Sequence, residues 1–456
     1  MIRVSQARLV FLAVLTTSFI GPFMGSAINL AIPAIGETFG ANANVLSWVV
    51  TAYLLGSVMV MLPIGRLADI IGRKKVYTLG VTLLTVFTLL AGFSLSVELL
   101  ILFRLIQGMA TSMIFSTGMA MIISVHQAEE RGRVIGFSAA ATYIGLSLGP
   151  MLGGLVTYYI GWRSIFFITA IVLVTSLLAM IRVKEEWFGA KGETFDIRGS
   201  LCYIIASPSI LYGCSTIVTV DYAKYILVGG LLLFAMFVRR QLNCPSPIFD
   251  VKLFCGNTVF AMSNVAAMIN YSATFAIGFI LSLYLQLIRG FDPPTAGMVL
   301  LIQPIIMALF SPKAGALSDK IDPQIVASIG MGLNTLGLIF FAFINTDTPI
   351  IFIGLNFMLI GLGFALFSSP NNNAIMGAVT PKYYGVAASA LSVMRLTGQA
   401  ISMAIVTFVL SVYAIDTISL AYLSNLLVGF RQIFLIFTLL CAIGTLASLA
   451  RGKRKI

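Results

Sequence analysis

Charge is scarce in this sequence, and negative charge is the scarcer kind. Only 10% of its 456 residues are charged, and sixteen acidic side chains stand against twenty-eight basic ones. None of the sixteen lies in the middle third of a long apolar run, so the apolar interior lacks a carboxylate that could bind and release a proton. Histidine is reduced to one residue, His126, at the end of an apolar run, where a solvated loop position is a simpler reading than a proton carrier. The five cysteines (Cys202, Cys214, Cys244, Cys255 and Cys441) are odd in number, scattered, and in or beside apolar stretches. They describe neither a disulfide framework nor a zinc site. No metal and no cofactor is expected.

Apolar surface is what the chain has in abundance. Hydrophobic residues make up 59% of it, and the mean hydropathy is +1.02. A water-soluble domain cannot hide so much, and apolar runs of about 20 residues, the length of a spanning helix, recur from end to end. The sequence therefore predicts an all-α membrane protein with about fourteen spans, broken at glycine, proline and charge. The first run follows Met-Ile-Arg-Val-Ser-Gln-Ala-Arg without a small-residue cleavage site, and reads as a retained span rather than a signal peptide. A net charge of +12 would suit nucleic acid, but the basic residues come in short bursts between apolar runs. The lipid bilayer, not nucleic acid, is the expected partner. Alternating the loops puts Arg66, Arg73, Lys74, Lys75, Arg182, Lys184, Lys252, Lys313 and the tail 451–455 on one side with both termini. The other side holds only Arg163, Lys224, Arg289 and Arg431. Basic loops stay inside, so both termini are expected in the cytoplasm and the chain in the cell membrane.

A weak internal repeat sets the domain plan. Gly65-Arg-Leu-Ala-Asp69 after the second span is echoed by Gly315-Ala-Leu-Ser-Asp319 after the tenth, and Phe103-Arg-Leu-Ile by Phe357-Met-Leu-Ile. This spacing suggests a six-span bundle over 1–190, a two-span linker over 191–245 and a second six-span bundle over 246–456. Transporters built from repeated bundles hold substrate near the midplane, at the bundle interface.

Three stretches carry the chemistry. Gly136-Phe-Ser-Ala-Ala-Ala-Thr-Tyr-Ile-Gly145-Leu-Ser-Leu-Gly149-Pro150-Met-Leu-Gly153-Gly154 lies inside an apolar run. Glycines at 145, 149 and 153 are four apart, which puts bare backbone on one face where another helix can come close. Pro150 removes an internal hydrogen bond and favours a bend. The second stretch is the loop Gly65-Arg66-Leu-Ala-Asp69-Ile-Ile-Gly72-Arg73-Lys74-Lys75, in which Gly72 permits a turn and Asp69 could cap a helix or pair with an arginine. A charge pair at such a junction can latch two elements in one state and release them in another. The third is Leu102-Phe-Arg104-Leu-Ile-Gln107-Gly108, which sets an arginine inside an apolar helix at a cost of about 2.5–3.5 kcal/mol. Such a residue is paired, faces a cavity or works; the alternative is snorkelling to the nearby interface.

Together these stretches resemble the major facilitator superfamily. The loop fills every key position of that family's G-x-x-x-D-x-x-G-R-K/R signature, and Arg104 to Gly108 matches its l-x-x-R-x-x-Q-G motif, whose arginine is associated with proton transfer. Gly136 to Gly154 matches the antiporter motif G-(x)8-G-(x)3-G-P-(x)2-G-G of its exporter branches. Gly161-Trp162-Arg163 with Phe166-Phe167, Trp48 to Leu55, Pro247 to Phe254 and Tyr284-Leu-Gln286 through Ala296-Gly297 are similar to the fourteen-span drug:proton antiporter branch. The resemblance implies two six-helix bundles plus two inserted helices, alternating access, and efflux of the multidrug type. One position departs from it. The branch carries L-D-x-T-(x)2-N-V-A-L-P in its first span, and here Met24 stands where the aspartate would be. A methionine cannot gain and lose a charge as a buried carboxylate does, so protons as a coupling partner stay open.

Further polar groups fall inside the spans. Arg395 and Gln399 are one turn apart and share a face, suited to an anionic substrate or to a helix partner. Met24, Asn29, Tyr53, Asn270, Tyr271, Gln303 and Asn356 are candidate cavity-liners, with an interhelical hydrogen bond the simpler role for each polar one. Asn371-Asn372-Asn373 after Pro370 reads as a helix end. The expected function is secondary active export of hydrophobic or amphipathic small molecules. The alternative is export or other transport of an anion or metabolite by the same fold without conventional proton coupling. No bond is made or broken, so no enzyme activity is expected.

Overall fold

The structure, a computed structural model, describes residues 2–126, 128–217, 220–318, 320–379, 384–413 and 422–449, with side chains left undescribed at 2–5, 128–133, 135, 136, 139, 143, 255, 384 and 385. Asp319, one of the two acidic residues of the internal repeat, lies outside them, as does the basic tail. The regular structure among the described residues is all helical, without a strand.

The first ten helices are α1 (Ile2–Phe39), α2 (Ala43–Ile71), α3 (Arg73–Gly92), α4 (Val97–Val125), α5 (Ala128–Tyr159), α6 (Arg163–Arg182), α7 (Ile197–Thr216), α8 (Ala223–Asn243), α9 (Val251–Gly256) and α10 (Thr258–Thr274). They are followed by α11 (Ile277–Leu283, extended by a π-turn at Tyr284–Ile288), α12 (Pro293–Leu300), α13 (Ile302–Ser318), α14 (Pro323–Ala342), α15 (Ile350–Gly377), α16 (Tyr384–Tyr413) and α17 (Tyr422–Leu449). Among the described residues, thirteen helical stretches are long and apolar enough to cross a membrane, Thr258–Ile288 and Pro293–Ser318 each counting as one. α7 is not among them, because Pro208 and its serines dilute an otherwise apolar run.

Helix starts follow from local chemistry. Ser96 accepts from the Leu99 amide at α4, and Asn257 from the Phe260 amide at α10. Asp292 and Asp322 cap α12 and α14, each followed by a proline whose missing N–H costs nothing at that position. Pro370 does not end a helix: α15 runs through it to Gly377. The reading of Asn371–373 as a helix end is therefore corrected. Within a bundle, neighbouring helices meet the backbone groups that a proline frees, so the water-based breaker rule does not hold.

The chain forms two compact units. The first comprises Met1–Ala41, Trp48–Ile210 and Val228–Ile248; the second comprises Asn42–Ser47, Leu211–Leu227 and Phe249–Ile456. In the first unit α1 packs on α4, α5 and α6, and α3 on α4 and α6. In the second, α14 packs on α15 and α17, α13 on α15, and α10 on α16 and α17.

Candidate functional site

In the first unit the glycine stretch lies against α1. A methyl group added at Gly145 would fall on the Phe19 carbonyl oxygen, one at Gly149 on the Ser26 hydroxyl, and one at Gly153 would come within 2.7 Å of Ala27 Cα. Thr142 fastens the seam by donating to the Ser18 carbonyl at 3.3 Å. Gly154 and Pro150 are buried beside it, and α5 continues through Pro150. Gly136 falls where only the α5 backbone is described. Met24 is buried in the α1 core, and Asn29 is half-buried one turn further along.

A second close approach, unforeseen in the sequence, joins α2 to α4. An added methyl at Gly108 would fall on the Tyr53 carbonyl oxygen, and one at Gly56 on that of Leu105. Ser57 donates to the Gly108 carbonyl at 3.0 Å, and Ser112 to the Ser57 carbonyl at 2.5 Å. The signal was present as Gly56 and Gly108, but the other glycine of each helix, Gly65 or Gly118, is too far along to make a four-residue stripe.

This contact positions Arg104, which is 1% exposed and does not snorkel. Its Nε donates to the Val49 carbonyl at 3.0 Å and its Nη1 to Gln107 Oε1 at 2.9 Å, and the guanidinium stands 4.3 Å from the Tyr53 ring centre. Gln107 passes the network on to the Phe87 carbonyl at 3.0 Å, and the Tyr53 hydroxyl donates to Thr111 at 3.1 Å. The charge rests on carbonyl dipoles and an aromatic face, and no carboxylate among the described residues pairs with it.

The signature turn between α2 and α3 is engaged by the segment that follows α6. Asp69 does not cap α3; its Oδ1 accepts from Arg73 Nε at 2.8 Å. The Asp69 carbonyl accepts from the amides of Gly189 (3.0 Å) and Ala190 (2.9 Å), and the Arg73 amide donates to the Trp187 carbonyl at 2.9 Å. The Lys74 amide donates to Glu186 Oε1 at 2.7 Å, and Arg66 pairs with Glu193. Gly65 faces Ser116 of α4. A half-exposed pair four residues apart contributes only about 0.3–0.5 kcal/mol. Each of the four strap hydrogen bonds contributes about 1 kcal/mol, so the strap rather than the Asp69–Arg73 pair dominates the junction.

The strap ends at Asp196, whose side chain is 2% exposed. It accepts from Arg240 Nε (2.7 Å), Gln241 Nε2 (3.0 Å) and the Gly199 amide (3.0 Å). Burial disfavours its charge, but these donors outweigh burial and hold the carboxyl below the usual carboxylate range. With the folded-state pKa below the unfolded value of about 3.9, the contact stabilises fully above that pH and is lost as pH falls through the lowered value. The unfolding midpoint of the protein should therefore drop on acidification below about pH 4 more steeply than that of Asp196→Asn, which a pH series of melting curves would read.

In the second unit, Arg395 Nη2 donates to Asn372 Oδ1 at 2.5 Å, and its guanidinium stands 5.7 Å from the centre of the Tyr271 ring, which packs edge-on to Phe364. Nothing in the sequence marks Asn372 as a partner of Arg395, because a polar run after Pro370 has the pattern of a helix end. Asn270 is buried and accepts from Asn334 at 3.0 Å, and Asn356 donates to the Gly337 carbonyl at 2.9 Å, so both tie helices together. At the place that echoes Arg104, the second unit has Met358, 45% exposed. No group of His, Cys, Asp and Glu that could hold a metal is found among the described residues.

Thirteen apolar helical stretches among the described residues, each long enough to cross a membrane, with a buried arginine held by carbonyls in the first unit, define a multi-pass membrane protein of the transporter class. The Major Facilitator Superfamily model matches residues 14–403 and 263–455, and the chain belongs to that family. It is 29% identical over 391 residues to the riboflavin transporter RibZ of Clostridioides difficile, covering 86% of this chain and 85% of that protein. It is 28% identical over 401 residues to the multidrug resistance protein Stp of Mycobacterium tuberculosis, covering 86% and 73%. In fold it is similar to a bacterial homologue of the human lysosomal transporter Spinster, with a TM-score of 0.72 at 14% identity, over 99% of each chain.

Proposed function

We propose that the chain is a secondary active exporter of hydrophobic or amphipathic small molecules, working by alternating access in the cell membrane with both termini cytoplasmic. The observation that carries this reading is the seam of Gly145, Gly149 and Gly153 on α1, which gives the antiporter-type stretch a physical role. Glycines on this face let the two helices pack closely, the arrangement expected where helices of a moving bundle bear on one another. The relative named as a multidrug resistance protein fits the same reading. Asp69, Arg73 and Lys74 form the gating turn, Arg104 and Gln107 serve coupling or substrate, and residues 191–245 are an insert between the two bundles.

A second reading, transport of a metabolite or anion without conventional proton coupling, is favoured by Met24 and by the relative named as a riboflavin transporter. The test of export is dye accumulation in an efflux-deficient bacterium. Cells expressing the chain should hold several-fold less lipophilic dye than control cells, and everted vesicles should accumulate it. Equal accumulation in cells with and without the protein would overturn the reading.

A further inference from the structure

Arg104 and Arg395 are both guanidinium groups beside a tyrosine ring, but they are satisfied differently. Nε of Arg104 meets the Val49 carbonyl, whereas Nε of Arg395 is covered by protein and has no acceptor among the described residues. Among the described residues, Arg395 makes its one hydrogen bond to a neutral amide, Asn372. The acidic residues described in the second unit, Asp221, Asp250, Asp292, Asp322 and Asp347, stand at helix starts or in turns and loops, and none pairs with it. Arg395 is also only half-buried, unlike Arg104, and Gln399 presents its amide one turn along the same face.

The position is held firmly. At Gly398 the α16 backbone presses on α10, where an added methyl would fall on the Met268 carbonyl oxygen and come within 2.9 Å of Tyr271 Cβ. Arg395 and Tyr271 are thus fixed together by a backbone contact. A covered N–H donor without an acceptor is costly, and the half-buried guanidinium that carries it has no carboxylate partner among the described residues, the setting in which a guanidinium takes an oxyanion through paired N–H groups.

Resting on the transporter reading above, we infer that the transported molecule carries an anionic oxygen group, a carboxylate or phosphate, received by Arg395. Asn372 and Gln399 supply neutral hydrogen bonds beside it, and the Tyr271 ring contacts the apolar body of the substrate.

The test uses two dyes on one xanthene frame, anionic fluorescein and cationic tetramethylrhodamine methyl ester. Binding to the full chain is measured by fluorescence polarisation in phosphatidylcholine nanodiscs, which supply no anionic headgroup. Fluorescein should bind, Arg395→Gln should weaken it about tenfold or more, and Arg395→Lys should fall between. Asn372→Ala, which leaves the charge in place, should weaken it by a smaller factor. Equal fluorescein binding by the protein and a folded Arg395→Gln, or preference for the cationic dye, would overturn the inference. Uptake of the cationic dye by everted vesicles without fluorescein binding would sink the anionic substrate and leave the exporter standing. Uptake and binding of neither dye would sink both.

Discussion

Gly108→Ala is expected to remove most of the folded protein. The added methyl would fall on the Tyr53 carbonyl oxygen and lie 2.8 Å from the carbon that bears it and 2.9 Å from the Ser57 amide nitrogen. These are backbone atoms of a helix, so no rotamer change relieves the clash and α2 and α4 must separate. Overpacking in a tight interior costs about 1–3 kcal/mol, and a backbone collision belongs at or above the top of that range. Separation also pulls Arg104 from the Val49 carbonyl and from the Tyr53 ring, so a buried charge loses its compensation. Gly229→Ala is the matched control: it too lies in a membrane helix, but nothing stands within 4 Å of the new methyl. Size-exclusion of detergent-solubilised protein after a heating series should show collapse for the first variant and an unchanged or higher midpoint for the second. Equal midpoints would mean that the two helices do not meet as described.

Gly72→Ala is expected to release the strap after α6. Gly72 has φ +119°, where an L side chain is strained by about 1–3 kcal/mol. Its new methyl would also lie 2.5 Å from the Glu186 carboxyl carbon, displacing the group that binds the Lys74 amide. Amides of Lys74, Gly189 and Ala190 should exchange with deuterium markedly faster than in the unaltered protein. Glu186→Ala removes only the carboxylate, and its effect should centre on Lys74. Unchanged exchange at Gly189 and Ala190 in Gly72→Ala would refute a strap organised by this turn.

What was legible in the sequence was what side chains announce by their absence or cost. Gly145, Gly149 and Gly153 mark a close helix contact because only hydrogen fits there, and Arg104 marks a site because charge in an apolar helix is expensive. Their partners were not legible. Arg104 is met by the carbonyls of Val49 and, through Gln107, of Phe87, groups that every residue carries. The strap was invisible for the same reason, since Trp187, Gly189 and Ala190 contribute main-chain atoms alone. Asn371–373 were misjudged because Pro370 signals a break in water, while in a bundle the helix continues.

That run gives α15 a mechanical property. Asn371 donates to the Ser263 carbonyl of α10 (3.2 Å), Asn372 accepts from Arg395 of α16, and Asn373 donates to Ser318 Oγ of α13 (3.1 Å). Successive side chains on a helix point about 100° apart, so these three sweep about 200° of its circumference. Turning α15 about its own axis by a single residue would break all three ties together. At this level the helix is torsionally pinned and can tilt only in company with its three neighbours. Any twist must be absorbed on the far side of Pro370, where the hydrogen-bond ladder is already interrupted.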